Sequence, residues 1–195
     1  MRRDVEVLLE FLPPGEGGRN APVRTGYRPQ FYYAGHDWDA VHEYPDHDSV
    51  LPGQEVRAFL AFLSPAEHLG KVVPGLMFEI REGARVVARG RVLRVVDLYE
   101  SAWRARLHDA LETYYLRLGS SAPADATSPE GHAYQAVLRE TRTLRDLLKA
   151  DASLGTFRDH LVTMQTFLRE SLIGERHATS VEELVQLVAA LSKAG

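Results

Sequence analysis

The hydrophobic period of this chain changes once, near Asp97, and that change fixes which architectures it can adopt and in what order. Before Asp97, short apolar runs alternate with polar residues and are cut by Gly and Pro, which is the pattern of strands and turns. After it, Leu98, Trp103, Leu107, Leu111, Tyr114, Tyr115 and Leu118 recur at helical spacing and mark an amphipathic helix. The chain therefore reads as an all-β unit over residues 1–96 followed by an all-α region over residues 97–195.

Within the first half, Val5 to Leu12 reads as a strand entering the turn-rich stretch Pro13 to Gly18. Further strands are expected at Gln30 to Tyr33, Val56 to Leu63 and Leu76 to Ile80. The clearest hairpin turns at Arg81 to Ala84 on Gly83 and returns through Val86 to Val96. Regular alternation along that last strand puts Arg85, Arg89 and Arg91 on one face and Arg94 on the other, so the first three form a candidate surface for a phosphate or an acidic partner.

The second half predicts four helices at about 97–118, 129–150, 154–173 and 181–193. Ser128 before Pro129 is a helix start, because the hydroxyl can cap an amide and proline is tolerated at the first helical position. The third helix carries Phe157, Leu161, Met164, Phe167, Leu168 and Leu172 and stops at Gly174. Ser180 with Glu183 is a capping-box pattern ahead of Leu184, Leu187, Val188 and Leu191. Four helices with short connections form a small bundle, and an apolar face left over would suit a protein partner or a second copy of the chain.

Composition narrows the function classes. The 195 residues include no cysteine, so disulfides and thiolate metal sites are excluded. A formal charge of -4 gives no general attraction to nucleic acid, and any RNA contact has to be local. No apolar run approaches the ~20 residues that cross a bilayer, and Glu6 and Glu10 interrupt the start, so a cytoplasmic protein without membrane contact is expected.

Three blocks carry a family resemblance: Gly17-Gly18-Arg19 with Pro22, Gly26 and the run Tyr27-Arg28-Pro29-Gln30-Phe31-Tyr32; Pro52-Gly53; and Phe78-Glu79-Ile80-Arg81-Glu82-Gly83-Ala84-Arg85-Val86-Val87. In this order they resemble the third domain of bacterial elongation factor Tu, over about residues 4–96. The resemblance implies a small Greek-key β-barrel that works by contact, in the family with the GTPase domain, aminoacyl-tRNA and the nucleotide exchange factor. It implies binding roles for Arg19, Gln30, Glu82 and Gly83, and the same blocks contain Arg28 and Arg81. No phosphate-binding Gly-x-x-x-x-Gly-Lys-Ser/Thr loop is present, so a P-loop GTPase formed by this chain is excluded. The chain departs from the family at Asp39, where a small threonine is expected near RNA, at Ser64, where a basic residue can stand, and over the longer segment 65–75. Those departures weaken tRNA handling more than they weaken the fold.

The resulting expectation is a non-catalytic binding or scaffold protein, without a cofactor, whose partner is a protein, a second copy or an RNA. The same barrel would also suit a regulatory decoy or an immunity-type protein of a conflict system. A different class rests on the stretch from His36 to Asp48. There His36, Asp37, His42, Glu43 and His47 could ligate a metal or supply an acid and a base for hydrolysis, with polar loops around a short strand as the simpler reading.

Overall fold

The computed structural model describes residues 2–120, 122–150, 152, 154–170, 182–186 and 189. Six strands form the first half: β1 (Val5–Phe11), β2 (Gln30–Tyr33), β3 (His36–Glu43), β4 (Glu55–Phe62), β5 (Met77–Glu82) and β6 (Arg85–Val95). They close into an antiparallel barrel in the order β1-β4-β3-β2-β5-β6, with β6 returning to pair with β1. Closure leaves no sheet edge unpaired.

Alternation builds the barrel core. Val5, Val7 and Leu9 of β1 point inward with Val56, Ala58, Leu60 and Phe62 of β4, Phe31 and Tyr33 of β2, and Phe78 and Ile80 of β5. Phe31 sits at the centre, its ring 4.3 Å from that of Phe78 and 5.0 Å from that of Phe62. Gly90 of β6 belongs to this packing, because a Cβ there would lie 2.3 Å from the Phe78 ring and 2.8 Å from Leu9.

Two stretches depart from the sequence expectation. The first is the stretch from His36 to Glu43, which is one continuous strand rather than a short strand between polar loops. It is set by a two-residue turn in which Ala34 (φ 50°) and Gly35 (φ 84°) are both left-handed, the geometry that matches the twist of a tight hairpin. The second is β6, which carries two β-bulges. Pairing with β5 jumps from Val86 to Ala88, leaving Val87 extra, and pairing with β1 jumps from Val92 to Arg94, leaving Leu93 extra. Each extra residue reverses the alternation.

The helices are α1 (Leu98–Ser120), α2 (Pro129–Lys149) and α3 (Leu154–Glu170), and residues 182–186 are also helical. Ser128 caps α2, its hydroxyl accepting a bond from the Gly131 amide at 3.0 Å. The expected stop at Gly174, the cap at Ser180 and positions Leu172, Leu187, Val188 and Leu191 lie outside the described residues. Among the described residues, no helix is long and apolar enough to cross a membrane.

The chain divides into two compact units, Met1–Ala105 and Arg106–Gly195, so the first turns of α1 belong with the barrel. Asp4 explains why the division falls past Asp97. Its buried carboxylate accepts a bond from the Phe62 amide at 2.7 Å and another from the Ser101 hydroxyl, while Leu98 joins the barrel core. In the second unit, Arg145 of α2 makes a bidentate bond to Glu112 of α1 at 2.6 and 3.0 Å and lies 4.4 Å over the Tyr115 ring.

Candidate functional site

Outward-facing positions of neighbouring strands line up in rows across the barrel wall. One row runs Asp39, Gln30, Arg81 across β3, β2 and β5. The next runs Asp37, Tyr32, Glu79, Arg89, Glu10 across β3, β2, β5, β6 and β1. The third places Arg91 of β6 directly between Met77 of β5 and Leu8 of β1.

Most cations expected to bind a ligand are held by the barrel itself. Arg19 pairs with Glu82 and lies 5.0 Å over the Tyr27 ring, and the Tyr27 hydroxyl donates to Glu82 at 3.0 Å. Arg28 pairs with Asp39 at 3.2 Å. Arg81 donates to Glu79 at 2.5 and 2.8 Å and stacks 3.2 Å over Tyr32. Gln30 stands between Asp39 and Arg81 in register, and its side-chain Oε1 is buried with no hydrogen-bond partner among the described residues. Gly83 (φ 62°) turns the β5–β6 hairpin, where Glu82 pairs with Arg85 in register.

The bulges of β6 correct the expected arginine face. Arg85 leaves it: its register partner Glu82 alternates with Ile80 and Phe78, and its guanidinium donates to the Gly17 and Gly18 carbonyls, to the first at 2.6 Å. Arg94 joins it, paired with Glu6, which also meets Arg57 at 3.4 Å. Arg89 and Arg91 remain exposed and face outward on adjacent rows. Among the described residues neither has a carboxylate at ion-pair distance, unlike Arg3, Arg19, Arg28, Arg57, Arg81 and Arg94.

Between the β2–β3 turn and β6 lies a shallow depression lined by Tyr32, Ala34, Met77, Phe78, Glu79 and Arg89. Met77, the first residue of β5 and the end of the row that holds Arg91, is 63% exposed. Neither Met77 nor Tyr32 stands out in the sequence as a binding position, although with Phe78 and Ile80 inward, alternation alone places Met77 outward.

Strand alternation disperses the histidine-rich stretch. His36 and Asp37 are exposed at the start of β3, while His42 is fully buried in the core face and Glu43 points the other way to a bidentate bond with Arg3 at 2.5 and 3.0 Å. That bond holds the Glu43 carboxyl below the usual carboxylate range. His47 lies apart in a loop, lining a cleft with Arg24, Tyr44 and Asp46. Among the described residues, no three of His, Asp or Glu come together to hold a metal ion.

Two histidines are buried structural groups. His42 Nδ1 meets the Tyr44 hydroxyl at 2.9 Å, and burial lowers its pKa to about 3. His68, in the segment 65–75 that the family resemblance marks as longer, is fully buried in an aromatic nest. Its ring lies 4.0 Å from that of Phe62 and 5.0 Å from that of Trp38, and its Nδ1 meets the Tyr33 hydroxyl at 3.0 Å. Burial, with a smaller contribution from Lys71, lowers its pKa to about 4. Both imidazoles are thus neutral near pH 7 and act as core packing.

No family model matches this chain.

Proposed function

We propose that this protein is a non-catalytic binding or scaffold module, built on a Greek-key barrel of the elongation factor Tu third-domain type and acting in the cytoplasm. The strand order supports the barrel type: β2, β3 and β4 are consecutive neighbours and β5 returns to lie beside β2. Two of the three blocks of sequence resemblance fall on neighbouring parts of the barrel, the first on the Gly17–Arg19 turn and β2 and the last on the β5–β6 hairpin, while Pro52-Gly53 lies in the turn before β4.

One observation carries the reading of function. The chemistry-bearing side chains of the barrel lie on its outer wall, in cross-strand rows suited to contact, and the histidines that could serve catalysis are separated or buried. Pairing of Arg19, Arg28 and Arg81 with carboxylates removes cations that a phosphate backbone would need, which favours a protein partner over RNA. The helical unit adds a second surface for assembly.

Affinity capture with the full chain, identifying both proteins and RNA at two salt concentrations, tests this. The expected result is a defined protein partner retained at the higher salt. Capture of nothing above a control bait, or turnover of a substrate by the purified chain, would overturn it.

A further inference from the structure

Two cations without an ion pair among the described residues, Arg89 and Arg91, and the depression beside them belong to one surface. Arg89 forms part of the depression's lining, and Arg91 sits in the next row between Met77 and Leu8. Its outward apolar side chains are Tyr32, Ala34 and Met77, with the Phe78 ring turned into the barrel core beneath. Ala34, at the rim, is held at φ 50°, where asparagine or glycine would be at ease. A strained residue with so short a side chain keeps the depression open on that side.

Charge decides what fits. Arg89 and Arg91 are two residues apart on one strand, which by the roughly 3.4 Å rise per residue sets their Cα atoms about 7 Å apart, and each outward guanidinium can hold a carboxylate in bidentate geometry. Asp37 and Glu79 stand in the row of Arg89 on one side and Glu10 on the other. A polyanion crossing this wall would meet those carboxylates at successive phosphates, whereas a short segment with a single acidic group beside an apolar side chain meets them least. The exposed Met77 favours the same occupant, since methionine adapts to varied apolar side chains.

We propose that the β5–β6 face centred on Met77, Arg89 and Arg91 docks a protein segment in which an aspartate or glutamate is adjacent to an aromatic or aliphatic residue. This rests on the reading of the barrel as a binding module and names the surface and the chemistry of its partner.

Selection of random twelve-residue peptides displayed on phage against the immobilised full chain tests it. Enriched peptides are expected to carry an acidic residue beside an apolar one, and a synthetic copy should bind at least tenfold more weakly to Arg89→Gln/Arg91→Gln and to Met77→Asp. Both arginines are exposed and unpaired, so the double variant should keep the wild-type melting temperature, which is checked in parallel. No enrichment, enrichment of peptides lacking acids, or equal binding to the variants would overturn the proposal. So would a twelve-nucleotide single-stranded RNA that binds through the same two arginines, or a dimer in light scattering that the double variant dissolves. If the lysate partner still binds the double variant at wild-type strength, this surface assignment fails while the binding-module reading stands. If the wild type captures nothing, that reading fails, and the peptide selection still decides the surface on its own terms.

Discussion

Single residues set both the acid sensitivity of this fold and one point of local strain. His42 and His68 are neutral in the folded barrel, with pKa values lowered to about 3 and about 4 by burial, and return to about 6.5 when the chain unfolds. Below that ordinary value the unfolded chain binds more protons than the folded one, so stability falls as pH drops from 6.5 toward the folded values. At pH 5 each histidine should have cost about 2 kcal/mol relative to neutral pH. Thermal melts between pH 7 and pH 5 should show the decline, and His42→Gln or His68→Gln should each flatten it. Ala34 tests the strain in the β2–β3 turn. Asparagine tolerates the left-handed conformation that alanine resists, so Ala34→Asn should stabilise the chain by about 1 kcal/mol, read as an upward shift of the denaturant midpoint at constant slope. The burial of His42 and the outward aim of Glu43 follow from strand parity, and both were legible once β3 is known to start at His36. That start depends on alanine accepting a left-handed turn, which local preference argues against.

At the scale of elements, β6 shows where sequence reasoning stops. Its valines mark it plainly as a strand, and its hairpin with β5 follows from Gly83. The bulges at Val87 and Leu93 have no local signature, because they arise from register against β5 on one side and β1 on the other. They decide the arginine face: Arg85 is turned to the Gly17–Gly18 carbonyls and Arg94 is brought outward. Gly90 lies between the two bulges at an inward position. Gly90→Ala should destabilise the barrel by about 2 kcal/mol, since the added methyl meets the Phe78 ring, itself packed on Phe31. Chemical denaturation would detect this, and a loss below a few tenths of a kcal/mol would show that Phe78 can yield. Helix starts are more legible because capping is local. Ser128→Ala should cost about 1 kcal/mol by removing the acceptor of the Gly131 amide, measurable in the same way.

At the scale of the whole molecule, the chain divides into two compact units, and the proposed recognition falls on the barrel wall. The order of the two architectures was legible from the change of hydrophobic period at Asp97. The boundary between the units was not, because the Asp4–Ser101 bond binds the first turns of α1 to the barrel across almost a hundred residues of chain. The candidate site was legible in its residue types and less so in their use. Arg19, Arg28 and Arg81 stand out in the sequence as candidate binding residues, and pairing with Glu82, Asp39 and Glu79 makes them parts of the wall. On the proposed reading, this wall recognises a protein through few charges. The deciding measurement is the affinity of the captured partner for the full chain at 50 and 200 mM salt. A protein partner held by no more than two surface ion pairs should change in affinity by less than about tenfold, because each such pair contributes at most about 1 kcal/mol to be screened. A partner that proves to be RNA and loses on the order of a thousandfold over that range would contradict it.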